Sequence, residues 1–504
     1  METLFQWSAL LPEIVVAATA LLLLVLGAAL PAAHKRELPS VALAGLATAA
    51  LAAAQDALPA ADAAFPVLWA RLFFLAAAFF TVWSGAQFVR RKNLSDAAFP
   101  VLVLVVTAAF MRLVQSENFV EFFVAFEVAT IGLSLLVVFN RASGVALEAG
   151  MKHLLPGAFS GVLLLLGVAL LYGAASNPAL NGGALATSGS PLDFAVLRGF
   201  IAAHLAHPLV LGGAALVTAA TAFKVGMFPF QFWVPDVYQG APMPVAAFLA
   251  TAAKTAGVLA LFLLMAGPFE ALCVRGGGGV SGVGPLFALV SIMAGATLVL
   301  ANLTALGQAN VKRLMGLSSL SHAGFMLIAV LAAVRVPGVF SFCALFFYAA
   351  AHLAGAAATF GVMGEVAAAA GGGGDEDDGA FLRTSDYQLL RERHPLLATV
   401  LCAGLGSLAG APPTLGFFAK FGVLAAAFQA GLWTLSGVAL LSICAGVYYY
   451  FAWIREAFQR LWVPAERRRD FAAAPVVVPL GVRVVLAVLA AVLLFGGLVP
   501  GVLP

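Results

Sequence analysis

The sequence AFKVGMFPFQFWVPDVYQGAP, at residues 222–242, sets a lysine and a helix-breaking proline inside a long apolar run. Pro229 lies five residues after Lys224. Proline in a helix interior removes a backbone hydrogen bond and clashes with the preceding turn. We therefore expect a membrane-spanning helix that is interrupted close to a lysine. Unwound backbone at membrane depth is tolerated only where protein or water surrounds it.

A second broken segment occurs in the other half of the chain. GSLAGAPPTLGFFAKF, at residues 406–421, carries Pro412 and Pro413 before Lys420, which reverses the order of lysine and proline. Broken helices at corresponding places in two halves are the best sequence indication of a transporter's working site. The reversed order predicts two inverted repeats.

The composition predicts an all-α, polytopic membrane protein. Of the 504 residues 63% are hydrophobic and only 10% charged, and the mean hydropathy is +1.04. So few, scattered basic residues exclude nucleic acid as a partner. The four cysteines are isolated, and the sequence has no nucleophile motif, phosphate loop or dinucleotide fingerprint, so we expect no metal, disulfide or cofactor in this chain.

Fourteen membrane spans are predicted, because each span needs about 20 mostly apolar residues. We place them at residues 10–31, 39–55, 70–89, 99–115, 118–139, 149–173, 208–229, 243–267, 281–303, 314–334, 338–364, 395–428, 431–456 and 475–499. They group into N-terminal helices (1–98), a first five-helix repeat (99–267), a second (281–456) and a C-terminal helix (475–504).

The basic residues predict the orientation. Sixteen fall in one set of alternate loops and five in the other, and the positive-inside rule makes the richer set cytoplasmic. Both termini are then expected on the outer side of the membrane. The richer set is Lys35, Arg36, Arg90, Arg91, Lys92, Arg141, Lys312, Arg313, Arg383, Arg391, Arg393, Arg455, Arg460, Arg467, Arg468 and Arg469.

Two stretches are interpreted as inserted linkers. Residues 174–207 are rich in Gly, Ser and Pro, and residues 366–380 contain the acidic, low-complexity sequence GGGGDEDDG. Neither carries chemistry that the sequence reveals.

Four ionisable residues inside apolar spans are candidates for proton transfer, because such residues usually face a polar interior and mark an ion path. Glu127 in the fifth span is expected to pair with Lys224, which relieves the cost of burying both charges. Lys254 could pass a proton through water, and Lys420 would be the terminal proton store in the second half.

Lys152 is a fifth candidate for the proton relay, and Glu148, His153 and His322 are auxiliary candidates. Lys152 follows Glu148 by four residues, a favourable helix spacing, and either takes part in transfer or extends its amine to the membrane surface. His153 and His322 titrate near neutral pH and could bridge waters between lysines, although a lone histidine is often structural.

Several motifs carry a family resemblance. They are LLPE (10–13), FEVATIGLSLLVVFNR (126–141), EAGMKHLLPGAFSG (148–161), AFKVGMFPFQFWVPDVYQGAPMPVAAFLATAAKTAG (222–257), NVKRLMGLSSLSHAGF (310–325) and SLAGAPPTLGFFAKF (407–421). Together they resemble the membrane subunit N family of proton-pumping NADH:quinone oxidoreductase, respiratory complex I, over nearly the whole chain.

The resemblance implies fourteen helices with two inverted five-helix bundles. It implies that Glu127 and Lys224 form the pair of the first half-channel, that Lys254 is the central relay, that Lys420 serves the exit side and that Lys152 belongs to the polar set. Its other implications are a non-redox translocase subunit in a bacterial inner membrane, other membrane-arm subunits as partners, and NADH, FMN, iron–sulfur clusters and quinone (ubiquinone or menaquinone) on other subunits.

This chain departs from the family pattern at three places, one of which is its expanded inner loop at residues 366–380. Gln231 stands where the family often has histidine. Pro156 follows Lys152 closely and could displace the helix that carries it.

Two other functions stay open. One is a Na⁺/H⁺ antiporter subunit that works without a redox partner. The other is a purely structural subunit, whose lysines bind lipid or bridge helices.

Overall fold

The computed structural model describes residues 10–57, 65–181, 189–274, 282–370, 379–458 and 478–496. Over those ranges the regular elements are helices, and β pairing is limited to isolated bridges such as Asn118 with Asp193. The prediction of an all-α protein is confirmed.

Eighteen α-helices of six residues or more lie in the described ranges. They are α1 (Leu11–Ala29), α2 (Leu38–Ala57), α3 (Phe65–Arg91), α4 (Ala98–Leu113), α5 (Phe119–Val137), α6 (Gly144–Ala175), α7 (Phe194–Ala203), α8 (Pro208–Val225), α9 (Val234–Gly240), α10 (Met243–Phe248), α11 (Lys254–Ala266), α12 (Pro285–Leu306), α13 (Val311–Arg335), α14 (Val339–Ala370), α15 (Pro395–Ala409), α16 (Leu415–Gln429), α17 (Trp433–Phe458) and α18 (Leu480–Phe495). Four α-helical turns of four residues, two 3-10 turns and one π-helical turn lie between them in the described ranges.

Eleven helices of the described ranges are long and apolar enough to cross a membrane. The shorter apolar helices α4 and α18 and the broken pair α15 and α16 add the remaining crossings of the predicted fourteen. The boundaries of the predicted domains stay a prediction.

Local sequence explains where several crossings begin. Asn118, Ser143 and Asn310 precede α5, α6 and α13, and each side-chain oxygen accepts a hydrogen bond from a backbone N–H of the first helical turn. Such caps satisfy donors that have no partner inside the helix.

Helix α13 is the centre of the bundle. Its span is entirely buried, whereas only a third of the α1 span is. A helix that is apolar all round is expected in such a position. The polar side chains of α13 therefore face other helices, not lipid.

The two broken segments share one backbone arrangement. α8 ends before Gly226, with φ +77°, and α15 ends before Gly410, with φ +82°. Each glycine N–H donates to the carbonyls three and four residues back, and the next N–H donates five residues back. This left-handed cap closes a helix end, and glycine adopts it at no steric cost.

Three boundary predictions need correction. The predicted span 208–229 is helical only to Val225, and the crossing resumes in α9 at Val234. The predicted span 395–428 is two helices with a break at residues 410–414. The expected displacement at Pro156 is wrong, since α6 runs through that proline and keeps Lys152 on the same helix.

The linker interpretation is wrong for part of the first insertion. α7 lies within residues 174–207 and buries Leu197 and Ile201. The Phe194 ring packs edge-on against Phe119, with 4.8 Å between ring centroids. Residues 182–188 of this insertion, and residues 371–378 of the acidic one, lie outside the described residues.

The two ends of the bundle carry different ion pairs. The end that holds Arg90, Arg91 and Arg313 is called the basic end below, and the other the opposite end. At the basic end Arg91 pairs with Glu365 at 2.9 Å, which joins α3 to α14. At the opposite end Arg71 of α3 pairs with Glu13 of α1 at 2.9 Å.

Candidate functional site

Lys224 is buried where the last turn of α8 meets α5. Its Nζ donates to Thr130 Oγ1 at 2.6 Å and to the Phe126 carbonyl at 3.2 Å, and lies 4.7 Å from the centre of the Phe126 ring. The side chain is only 8% exposed. A buried ammonium needs such partners, because it has lost its water shell.

Glu127 lies on the same helix as the Lys224 contacts but points elsewhere. Its Oε1 is buried without a hydrogen-bond partner, and the carboxylate packs against the Cα of Gly161 in α6. The direct Glu127–Lys224 ion pair that the sequence predicts is therefore not formed. The two groups act on each other through space from neighbouring turns, and their roles stay a prediction.

Lys254 lies at the break between α8 and α9. Its Nζ donates to the Val225 carbonyl at 2.5 Å and lies 4.8 Å from the Trp233 ring. Val225 is the last residue of α8, where the helix dipole places partial negative charge. A π-helical turn, Leu249–Ala253, immediately precedes Lys254, and such turns are frequent at functional sites.

A small cavity with both polar and apolar walls lies between Lys224 and Lys254. It leaves about 10 Å³ for the centre of a water molecule, which is room for about one water. His153 lines it and is held by Ser134, at 2.7 Å from Nδ1. The lining residues are Thr130, Leu133, His153, Gly157, Ser160, Phe223, Lys224, Trp233, Leu249, Ala253 and Lys254.

Lys420 meets the second break in a similar way. Its Nζ donates to the carbonyls of Leu408 and Ala409, both at 2.8 Å. Ala409 is the last residue of α15, so this ammonium also sits on a helix C-terminus. Lys254 belongs to α11, which is a different crossing from the broken helix α8–α9 whose end it contacts. Lys420 instead belongs to α16, the second half of the same broken helix whose first half, α15, it contacts.

A second cavity, also with about 10 Å³ for a water centre, lies beside Lys420. Its polar walls include His322 and His352, whose rings stack with centroids 4.3 Å apart. His352 Nε2 is 3.1 Å from the Ala250 carbonyl, in the π-helical turn before Lys254. His352 thus connects the surroundings of Lys254 with those of Lys420.

Lys152 lies apart from the other three lysines, at the basic end. Its Nζ donates to Asp236 at 2.7 Å and is 2.6 Å from Glu148, and Asp236 also accepts from Arg313 at 2.5 Å. This network ties α6, α9 and α13 together. Its side chains are about a third or more exposed, so we assign it to the surface of the site.

Sequence reasoning missed several buried polar residues. Asp236 was passed over, although the charge on α9 was visible in the sequence. Tyr348 and Tyr450 hydrogen-bond to His322, yet aromatic residues in apolar runs give no signal that distinguishes a relay from packing. Lys312 was counted as a loop residue, but it is fully buried and its Nζ donates to the Ala241 carbonyl at 2.6 Å.

No cluster of three or more His, Cys, Asp or Glu able to hold a metal occurs among the residues that the structure describes. The four cysteines are free thiols. The polar groups of the site are amines, imidazoles, hydroxyls and the carboxylate of Glu127, with two more carboxylates, Asp236 and Glu148, at its surface. This set suits proton transfer.

This fold and its buried lysines define an antiporter-like membrane protein. The family described as "NADH:quinone oxidoreductase/Mrp antiporter, TM" matches residues 116–446. A chain of respiratory complex I from Thermus thermophilus superposes with a TM-score of 0.72 at 25% identity, with 97% of each chain covered. A chain of the Mrp complex from Dietzia, at 21% identity and a TM-score of 0.75, shares the fold.

The curated relatives narrow the class. An NADH-quinone oxidoreductase subunit N of Opitutus terrae is 40% identical over 92% of this chain and 89% of its own length. One from Syntrophobacter fumaroxidans is 34% identical over 90% and 89%. The chain therefore belongs to the subunit N family of NADH-quinone oxidoreductase, and the resemblance read from its motifs is confirmed.

Proposed function

We propose that the chain moves protons across a bacterial inner membrane as a membrane-arm subunit of an NADH-quinone oxidoreductase. Quinone reduction in other subunits supplies the energy, and those subunits hold NADH, FMN, the iron–sulfur clusters and the quinone. The single observation that carries the proposal is the set of three buried lysines, Lys224, Lys254 and Lys420, each held at a helix break or at a helix end beside one, with small cavities next to them.

The geometry suits a group that alternates between charged and neutral forms. Lys254 and Lys420 each rest on backbone carbonyls, which accept from an ammonium and still tolerate the neutral amine. Moving one charge against 100 mV costs about 2.3 kcal/mol. Gaining or losing a single hydrogen bond to a charged group is worth about 1.5–3 kcal/mol, so small rearrangements at these sites are of the required size.

The proposed order of transfer follows the two cavities and the His352 contact with the turn before Lys254. Protons enter from the basic end, which the positive-inside rule makes cytoplasmic, and reach Lys224 near Glu127. They pass the His153 cavity to Lys254, continue past His352 to Lys420, and leave on the outer side, where both termini lie. Lys152 and Glu148 flank the entrance.

The test is Lys224→Ala in the assembled complex, measured in inverted membrane vesicles. We expect proton pumping to be lost while the complex assembles and NADH oxidation continues when an ionophore dissipates the gradient. Lys35→Ala at the basic end is the matched control and should pump normally. Normal pumping by assembled Lys224→Ala would refute the proposal, and pumping without NADH oxidation would favour an antiporter that lacks a redox partner.

A further inference from the structure

Tyr450 in α17 lies at the centre of a chain of hydrogen-bonded polar side chains that has no part in the transfer path proposed above. Its hydroxyl contacts Ser318 Oγ and lies 3.2 Å from His322 Nε2. His322 Nδ1 is 2.7 Å from the Tyr348 hydroxyl, and His322 lines the Lys420 cavity. A phenol both donates and accepts, so it can stand between two proton carriers.

We propose that Tyr450 is a proton-relay residue that joins His322, beside Lys420, to the basic end of the bundle. The inference rests on the proposed function, and it gives the second half its own connection to the basic end. In each hop the phenol oxygen accepts a proton from one neighbour and releases its own to the other. Tyr450 is therefore neutral before and after the transfer, and no redox partner is needed.

The direction of the chain follows from the helices that carry it. α13 begins at the basic end, and Ser318 precedes His322 by four residues, so it lies roughly 6 Å nearer that end. α17 runs towards the basic end and reaches it at Phe458, eight residues after Tyr450. A step from His322 through Tyr450 to Ser318 is a step towards the basic end.

A second set of hydroxyl and amide groups lies beside the chain formed by Ser318, Tyr450, His322 and Tyr348. Tyr449 donates to Asn302 Oδ1 at 3.2 Å, and Asn302 Nδ2 donates to Ser321 at 2.9 Å. Asn302 lies one turn from the basic end of α12. The neighbouring hydroxyls of Ser319 and Tyr238 are 3.0 Å apart, and Tyr238 belongs to α9, the basic-end half of the first broken helix.

α13 and α16 offer no such groups on the other side of Lys420, so the proposed exit to the outer side must be lined by other helices. α13 from Phe325 to Val334 and α16 from Phe421 to Phe428 contain apolar residues and glycine only. The buried Lys312, at the start of α13, adds a cation at the basic end of the polar chain. In α13 the polar groups next to Lys420 therefore continue towards the basic end.

The test compares Tyr450→Phe, which removes one oxygen and keeps the ring, with Tyr448→Phe, whose ring is 66% exposed. Protons pumped per NADH oxidised are measured in vesicles that contain the whole complex. We expect a lower ratio for Tyr450→Phe, an unchanged ratio for Tyr448→Phe, and NADH oxidation with an ionophore at the wild-type rate for both. Ser318→Ala removes the next hydroxyl and should lower the ratio in the same way.

The outcomes separate this inference from the proposed function. If Lys420→Ala stops pumping while Tyr450→Phe or Ser318→Ala pumps with the wild-type ratio, the relay is refuted and the proposed function stands. If Lys420→Ala itself pumps normally, the proposed function fails. Should Tyr450→Phe not assemble, Ser318→Ala decides the matter alone.

Discussion

The two broken segments use the same backbone device and surround it with different chemistry. Each helix ends at a glycine with left-handed backbone, Gly226 or Gly410. The last carbonyl of each helix accepts a hydrogen bond from a buried lysine, Lys254 in the first half and Lys420 in the second. A helix C-terminus attracts a cation without itself carrying a net charge. The shared device explains how a lysine is held at membrane depth without a carboxylate in contact.

The difference lies in the neighbours. The first half places Glu127 between Phe126 and Thr130, the two residues of α5 that accept from Lys224, without a direct contact between the carboxylate and the lysine. The lining of the second cavity contains histidine, tyrosine and serine, and no acid among its described residues. Neither cavity has an acid among its described lining residues, so the contrast between the halves is Glu127, which lies on the helix that holds Lys224 and has no described counterpart beside Lys420.

The largest effect that separates the halves is expected for Glu127→Gln, which removes charge and keeps shape. Lys224 loses its nearest carboxylate, so we expect a large fall in protons pumped per NADH, measured in vesicles with electron transfer followed in the presence of an ionophore. Glu37→Gln, on an exposed residue of the connection before α2, is the control and should change nothing. A pumping ratio equal to that of the wild type would mean that the first half, like the second, works without an acid.

A smaller effect is expected when the shared device is altered. Gly226→Ala and Gly410→Ala force a Cβ into a left-handed backbone, which costs roughly 1–2 kcal/mol. The added atom would also lie 2.8 Å from Lys254 Nζ in the first half and 2.8 Å from Lys420 Cδ in the second. Both variants should lower the melting temperature of the purified complex.

Gly406→Ala is the matched control for the glycine variants. It lies inside α15, where an added Cβ meets nothing within 4 Å, and alanine is the better helix former by about 1 kcal/mol. Its melting temperature should equal or exceed that of the wild type. If Gly410→Ala behaved like Gly406→Ala, the cap would not be the source of the strain.

The smallest effect is expected at the basic end, where Asp236 of the first broken helix belongs to an ion network. Asp236→Asn leaves Lys152 and Arg313 facing each other with one carboxylate fewer. Partly exposed pairs are worth about 0.2–1 kcal/mol each, so a small loss of thermal stability is expected at low salt. The difference from the wild type should shrink as salt is added; a loss that did not respond to salt would contradict an electrostatic origin.

The sequence predicts the crossings and the broken helices well, because apolar length and the prolines beside Lys224 and Lys420 are strong local signals. It does not predict where side chains point. Glu127 and Lys224 are both inside apolar helices, yet the rotation of α5 turns the carboxylate towards Gly161, and hydropathy carries no information about that rotation.

Contacts between distant segments are also hidden from the sequence. His322 and Tyr450 are separated by 128 residues, and their contact arises only when α13 and α17 pack. α7 has too few residues to register as a crossing, so its buried Leu197 and Ile201 were taken for part of a linker. Tertiary packing, and not local pattern, supplies these parts of the site.

The most direct test of whether the buried amines exchange protons is to measure protons pumped per NADH oxidised by Lys420→Arg. Lys420→Met is its neutral counterpart. A guanidinium keeps a positive charge throughout turnover and cannot release its proton, whereas methionine never carries one. The account predicts that both assembled variants oxidise NADH in the presence of an ionophore and pump no protons. Wild-type pumping by Lys420→Arg would show that a fixed charge is sufficient and would contradict the account.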